Sequence, residues 1–125
     1  KVYQAARAFK KRIYNLTLLF PDDEKFRLRQ QMRRAALSIT NCIAEGHGRY
    51  TFKDRIHFLR QSRGSLYELV DDFNDIEDLG YAKSQHLGNL KDDAEEVLKL
   101  INGYISYIQR EARARPNSPR RRTYP

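Results

Sequence analysis

The chain has 125 residues, of which 40% are hydrophobic and 32% are charged, and it carries a net charge of +8. This size fits one small domain, and no apolar run approaches the roughly 18 residues that a membrane-spanning helix needs. A single cysteine excludes an intrachain disulfide and fits a reducing compartment, so we expect a cytoplasmic protein that does not associate with membranes.

Apolar residues recur at steps of three and four along four segments, which is the spacing of amphipathic helices. The first segment runs from Val2 to Phe20. Pro21 and the three acidic residues after it predict the end of this helix and the start of the next. The second segment continues from Leu28 to the sequence GHG at 46–48, whose two glycines are expected to terminate the helix.

The third and fourth segments are predicted from their start signals as well as from their spacing. Thr51 followed by Asp54 resembles a capping box, and the helix that begins there is expected to end near Gly80. Ser84 is expected to cap the fourth helix, whose apolar positions continue without a break to Ile108.

Together the four segments predict an all-α fold, an antiparallel up-down-up-down four-helix bundle over residues 1–111. No segment has the alternation of a strand, and short connections between long helices favour antiparallel neighbours. Residues 112–125 hold three of the four prolines and no aliphatic residue larger than alanine. We expect this basic tail to be disordered, because it cannot bury enough surface to offset its loss of conformational entropy.

The sequence NCIAEGHGRYTFKD at 41–54 brings together residue types that are common in active sites. A di-iron bundle needs two Glu-x-x-His motifs, whereas the chain offers only Asp54-x-x-His57, and a zinc site needs more Cys and His ligands. GHG follows a helix and lacks the Gly-Lys-Ser/Thr of a phosphate loop. Cys42 lies on the apolar stripe, where cysteine is usually a small buried hydrophobe. We therefore expect no enzymatic activity, metal, cofactor or small-molecule substrate, with a metalloenzyme as the weakest alternative.

Basic residues are a stronger signal, because charge is unevenly distributed along the chain. Residues 1–63 hold fifteen basic and five acidic residues, whereas residues 64–109 hold three and ten. Such asymmetry suggests an anionic partner, a self-complementary assembly, or both. The candidate nucleic-acid-binding residues are Arg7, Lys10, Lys11, Lys25, Arg29, Arg33, Arg34, Arg49, Lys53 and Arg60.

Two further expectations concern this basic surface. Tyr14 and Tyr50 lie near the basic clusters and could stack on bases. Arg29 and Arg33 lie off the apolar stripe, so we expect charge reversal at these positions to weaken binding without unfolding the protein.

A second set of residues is unusual for a plain bundle, because polar and small side chains flank the apolar stripes of helices two and three. They form either an ordinary solvated flank or a hydrogen-bonded seam between these helices or between subunits. A glycine within a helix costs about 1 kcal/mol relative to alanine, so Gly64 is expected to let another backbone approach closely. The candidate seam residues are Ser38, Asn41, Glu45, Gly46, Gly64, Ser65 and Glu68.

The stretches RRAALSITNCIAEGHGR and FLRQSRGSLYELVDDFNDIEDLGY resemble the bacterial four-helix-bundle proteins encoded in intervening sequences of 23S ribosomal RNA genes. These proteins are similar in turn to the accessory variability determinant of diversity-generating retroelements. The pattern Arg-Ala-Ala-x-Ser-Ile is met at 34–39, and Asn-Ile-Ala-Glu-Gly is met at 41–46 with Cys42 as an additional residue. The pattern Arg-Gly-Ser-Leu-x-Glu-Leu is met at 63–69, and the likeness covers about residues 1–110.

The resemblance implies a bundle that assembles into a homopentameric ring. For the retroelement relatives it implies a basic, non-catalytic partner of a reverse transcriptase that also binds nucleic acid. The sequence therefore leads to a non-enzymatic oligomer that presents a basic surface to RNA, DNA or a nucleoprotein such as a reverse transcriptase complex. The alternative is a protein–protein adaptor or self-assembly module that does not bind nucleic acid directly.

Overall fold

The structure is a computed structural model that describes residues 1–24 and 27–115. Its helices are α1 (Val2–Thr17), α2 (Leu28–His47), α3 (Phe52–Leu79) and α4 (Ser84–Ala114). Each helix packs against two neighbours. Helices α1 and α3 each contact both α2 and α4. Short connections reverse the chain direction each time, and these described residues contain no strand. The predicted all-α, antiparallel four-helix bundle is confirmed.

The core is formed by the apolar stripes that the sequence predicts. The α1 residues at steps of four and three from Val2, namely Ala6, Phe9, Ile13 and Leu16, are all buried, and Phe9 and Ile13 are fully enclosed. On α3 the buried stripe also carries three polar residues, Arg55, Ser62 and Asp72. No helix in the described ranges combines the length and apolarity required to cross a bilayer.

The starts of the helices agree only partly with the predictions. The Thr51 hydroxyl accepts a hydrogen bond from the Asp54 backbone N–H at 3.1 Å, which confirms the cap of α3. Pro21 does not begin α2, because a short 3-10 helix, Asp22–Glu24, comes first. The predicted Ser84 cap is wrong, because Ser84 is itself the first residue of α4. The N-cap residue of α4 is Lys83, whose side chain makes no capping hydrogen bond.

The ends of the helices show which glycines the backbone requires. Gly80 follows α3 with φ of +73°, a left-handed conformation that glycine adopts without steric cost. Gly48 follows α2 with φ of −79°, and Gly46 lies inside that helix, so the GHG sequence ends α2 without a left-handed residue. Helix α4 continues to Ala114, three residues beyond the predicted boundary, and the rest of the tail, residues 116–125, lies outside the described residues.

Candidate nucleic-acid interface

Arg29 and Arg33 reach from α2 to the C-terminal end of α1. Arg33 Nε donates to the Thr17 hydroxyl at 2.8 Å, and its guanidinium also lies 3.5 Å from the Tyr14 carbonyl oxygen. Arg29 donates to the Phe20 carbonyl oxygen at 2.9 Å. The C-terminal end of a helix carries the negative end of its dipole, so two cations held beside it stabilise that end of α1.

These contacts correct two expectations from the sequence. Charge reversal at Arg29 or Arg33 would place a carboxylate against carbonyl oxygens, so it would destabilise the fold as well as remove positive charge. The Arg33 guanidinium lies 5.2 Å from the centroid of the Tyr14 ring and covers one face of that ring. Of the two tyrosines expected to stack on bases, only Tyr50 is largely exposed, at 60%.

Arg49 is also held within the chain. Its Nη2 lies 2.7 Å from a Glu45 carboxylate oxygen on the preceding turn of α2, and its guanidinium lies 4.6 Å from the centre of the Phe58 ring. The ion pair places a neutralising charge beside the arginine, so Arg49 is a weaker phosphate ligand than an isolated surface arginine.

A buried polar cluster at this end of the bundle was missed by the sequence analysis. Arg55 on α3 donates to the Tyr104 hydroxyl on α4, and the same oxygen lies 3.2 Å from His47 Nδ1 on α2. Both Arg55 and His47 are buried. A signal was present, because Arg55 lies four residues before the core residue Leu59 and therefore on the same face of α3.

Exposed cations remain on the outer surface of the first two helices. Arg7 and Lys11 are exposed and one turn apart on α1, and Lys10 beside them is half-buried. Arg34 is exposed on α2, at the edge of its groove with α3. None of these four makes an ion pair with another described residue. We call them the α1–α2 basic face. Among the other candidates, Lys53 and Arg60 are exposed on α3, and Lys25 lies outside the described residues.

The seam predicted between helices two and three is present at its centre. The Ser65 hydroxyl on α3 donates to the Ser38 hydroxyl on α2 at 2.8 Å, and the buried Ser62 hydroxyl donates to the Ile39 carbonyl oxygen at 2.8 Å. A methyl group added at Gly46 would lie 3.0 Å from Phe58 Cβ and 3.1 Å from a carbonyl oxygen of α3. Glycine is therefore required at 46 by close packing of two helices.

Other predicted seam residues do not join α2 to α3. Asn41 and Glu45 are exposed, and the Glu45 carboxylate pairs with an arginine of its own helix. Gly64 is exposed, and a methyl group added there would meet nothing within 4 Å, so no neighbour within the chain explains it. Glu68 is exposed and lines a shallow groove with both serines of the seam and Arg34.

A carboxylate is buried where α3 packs against the first half of α2. Asp72 Oδ1 accepts a hydrogen bond from Gln31 Nε2 at 3.1 Å, whereas Oδ2 is buried with no donor among the described residues. Burial and the nearby charges of Asp75 and Asp71 raise the pKa of the Asp72 carboxyl from 3.8 to about 6. Within the described ranges, no group of three or more His, Cys, Asp or Glu side chains is arranged to hold a metal ion.

The single cysteine does not occupy the buried position that the sequence predicts. Cys42 is half-buried, and its sulfur lies 3.7 Å from the Ser38 hydroxyl oxygen and 3.9 Å from Gln61 Oε1. It extends the polar contact between α2 and α3 toward the surface.

Comparison with known proteins places this arrangement in a family. Residues 1–103 match the family described as 23S rRNA-intervening sequence protein. The chain belongs to this family. Among curated proteins, no sequence matches it significantly.

The fold of this 23S rRNA-intervening sequence protein is also found in a solved structure. It is similar to the 1.70 Å crystal structure of a protein with unknown function from the S23 ribosomal protein family of Bacteroides thetaiotaomicron. The TM-score is 0.77 at 23% sequence identity, and the match covers 84% of this chain and 98% of the other.

The structure gives a physical role to the three sequence blocks that carry the family resemblance. They lie at 34–39 and 41–46 on α2 and at 63–69 on α3. Ser38 and Ser65, from two different blocks, form the central hydrogen bond of the seam, and Gly46 allows the close approach at its end. In this member of the 23S rRNA-intervening sequence proteins, the blocks therefore hold α2 against α3.

Proposed function

We propose that this protein is a non-enzymatic, oligomeric four-helix bundle whose α1–α2 basic face binds the phosphate backbone of nucleic acid. The observation that carries the proposal is that Arg7, Lys10, Lys11 and Arg34 are exposed or half-exposed cations without an ion pair among the described residues. Their charge is therefore available to an external anion.

The geometry of this face fits a polyanion better than a small anion. Residues 7 and 11 are one turn apart on α1, and Arg34 lies on α2 beside its groove with α3, so the cations are spread over two helices. Lysine and arginine that replace counterions on a phosphate backbone give affinity that falls with salt and depends little on sequence.

The partner and the assembly belong to the same proposal. A homopentameric ring, and a nucleoprotein partner such as a reverse transcriptase complex, are supported by the resemblance of the three sequence blocks to the family and, through it, to the retroelement relatives. A cytoplasmic location is supported by the single cysteine, which fits a reducing compartment. The chemical requirement on the partner is an exposed phosphate backbone beside or within it.

Binding of fluorescently labelled single-stranded RNA and DNA, followed by anisotropy from 25 to 300 mM salt, tests the proposal. We expect the logarithm of the affinity to fall linearly with the logarithm of salt concentration. Replacing Arg7 and Lys11 with glutamine should reduce that slope by about 1.4, since each lost phosphate contact on a single strand accounts for roughly 0.7.

The matched control replaces Lys91 and Lys99 of α4 with glutamine, which removes the same charge from the acidic side of the bundle. This variant should bind as the wild type does. Absence of binding at 25 mM salt, or equal weakening of both variants, would refute the proposal. Cleavage of the labelled strand during incubation would contradict its non-enzymatic part.

The second candidate is an adaptor or self-assembly module that does not bind nucleic acid directly. It is favoured by the acidic second half of α3, where Glu68, Asp71 and Asp75 are exposed on the same molecule as the basic surface. Self-association in the absence of nucleic-acid binding would select this candidate.

A further inference from the structure

An apolar groove lies on the surface between α3 and α4, with a volume of about 250 Å³. Its walls are mainly apolar and come from Leu66, Tyr67 and Val70 of α3 and from Ala94 and Leu98 of α4. We call it the α3–α4 groove. Sites for small molecules usually measure about 300–1,000 Å³, so this groove fits one or two apolar side chains better than a cofactor.

Two leucines at the end of α1 are the most exposed of the large aliphatic side chains in the described residues. Leu18 is 66% exposed and Leu19 is 58% exposed. The segment that carries them is held on both sides, because Leu16 and Phe20 are buried. The Phe20 ring also lies 5.5 Å from the ring of Tyr81, measured between centroids. Adjacent exposed apolar side chains mark contact surfaces, and a fixed pair loses little conformational freedom on docking.

One chain cannot bring these leucines into its own groove. Helix α1 meets α4 through an ion pair in which Arg12 Nη1 lies 3.4 Å from Asp93 Oδ2. Leu19 follows Arg12 by seven residues and therefore lies on the same side of α1. The groove is on the other side of α4, toward α3, where Lys91 and Glu95 complete its lining. Helix α4 thus separates the leucines from the groove, and only the groove of another molecule is open to them.

The charges beside the two surfaces are complementary. Asp22 and Asp23 are exposed directly after the leucine segment. Lys91 is half-buried in the lining of the groove and makes no ion pair with another described residue. Opposite charges around an apolar contact favour one orientation of docking, although each exposed pair adds little affinity.

We propose that Leu18 and Leu19 of one copy of this chain insert into the α3–α4 groove of a second copy. Asp22 and Asp23 then lie beside Lys91 of the partner subunit. The two surfaces differ, so the contact is head-to-tail and leaves one leucine pair and one groove free in every dimer. Repetition of such a contact builds a closed ring when the rotation between neighbours closes, as the proposed homopentamer requires. The inference rests on the oligomer in the proposed function and names the contact that forms it.

Sedimentation of the protein alone over a range of concentrations tests this contact. Replacing both leucines with alanine, as L18A/L19A, should weaken association about ten-fold or more, because two apolar side chains lose their burial. The matched control is Leu79→Ala, which removes a leucine that is 48% exposed at the end of α3. This control should associate as the wild type does.

Mixing two variants tests the direction of the contact. Tyr67 is 54% exposed, and Tyr67→Glu places a carboxylate at the groove while leaving the leucines intact. Alone, Y67E should stay monomeric at concentrations at which the wild type assembles. An equimolar mixture of Y67E and L18A/L19A should form a one-to-one dimer and nothing larger, because one leucine pair and one groove are intact. Dimer formation in the mixture also shows that both variants fold.

The outcomes separate this inference from the proposed oligomer. Undiminished association of L18A/L19A, or equal weakening by L79A, would overturn the contact and leave the oligomer standing. A wild-type protein that stops at a dimer, or a mixture that forms no dimer, would overturn the head-to-tail geometry. A wild-type protein that stays monomeric at every concentration would overturn both the contact and the oligomer.

Discussion

Replacing Asp72 with asparagine should stabilise the protein at neutral pH and have no effect in acid. The folded chain holds this carboxyl with a pKa of about 6, against 3.8 for an ordinary aspartate. Between these values the folded protein binds a proton that the unfolded chain has lost, so wild-type stability falls as pH rises. Above pH 6 the folded state carries a buried charge that asparagine would remove.

The size of the effect follows from the same two values. At about 1.36 kcal/mol for each pKa unit, the difference between 6 and 3.8 sets an upper limit of about 3 kcal/mol. Part of this comes from exposed neighbouring carboxylates, which solvent screens, so we expect a gain of about 1–2 kcal/mol at pH 8. The hydrogen bond from Gln31 Nε2 to Oδ1 is retained, because asparagine keeps that acceptor.

Urea unfolding followed by circular dichroism from pH 4 to 8, on dilute protein, measures this prediction. The free-energy difference between D72N and wild type should be small at pH 4, pass its midpoint at about pH 5, halfway between the two pKa values, and level off above about pH 6. Asp71→Asn makes the same chemical change at an exposed site of α3 and should stay within about 0.5 kcal/mol throughout. A gain that is constant across this pH range, or an equal gain from D71N, would refute the electrostatic explanation.

Three further substitutions test contacts within the bundle. Arg33→Ala should lower the free energy of unfolding by about 1–3 kcal/mol in urea titrations, because polar groups at the end of α1 lose their donor, whereas Arg34→Ala should change it by less than about 0.5 kcal/mol. Gly46→Ala should lower the free energy of unfolding by about 1–2 kcal/mol, since steric strain against α3 exceeds the gain in helix propensity. The same change at the open Gly64 should raise the free energy of unfolding of the dilute chain by up to about 1 kcal/mol. A gain in stability from Gly46→Ala would contradict the close packing. Tyr104→Phe should lower the melting temperature and cost about 1–3 kcal/mol, because a buried guanidinium loses its acceptor; an unchanged melting temperature would mean that water replaces the hydroxyl.

The positions of the core residues could be predicted because they depend on spacing alone. Steps of three and four from Val2 onward identify side chains that turn inward whatever the helices pack against. The cap of α3 could also be predicted, since Thr51 and Asp54 interact within one turn. The start of α2 could not, because proline and acidic residues serve a 3-10 turn as well as an α-helix.

The direction of the long basic side chains could not be predicted from their spacing. Arg33 lies off the apolar stripe, but the hydroxyl and the carbonyl oxygen that it contacts are sixteen and nineteen residues away on α1. Arg55 lies among the basic residues at the start of α3, although its hydrogen-bond acceptor is Tyr104 on α4. Such contacts depend on which helices become neighbours, whereas Arg7 and Lys11 are exposed because their own helix turns them outward.

The contact of Arg55, Tyr104 and His47 has a consequence for how the chain selects one alignment of its helices. Apolar stripes with a heptad-like repeat can match again after one helical turn is displaced, at little loss of burial. Displacing α4 by one turn would move the Tyr104 hydroxyl about 5.4 Å from Arg55 and His47. The buried Arg55 guanidinium would then lose its acceptor, which is strongly destabilising. The Tyr104 hydroxyl oxygen therefore fixes the positions of α2, α3 and α4 relative to one another along the bundle axis.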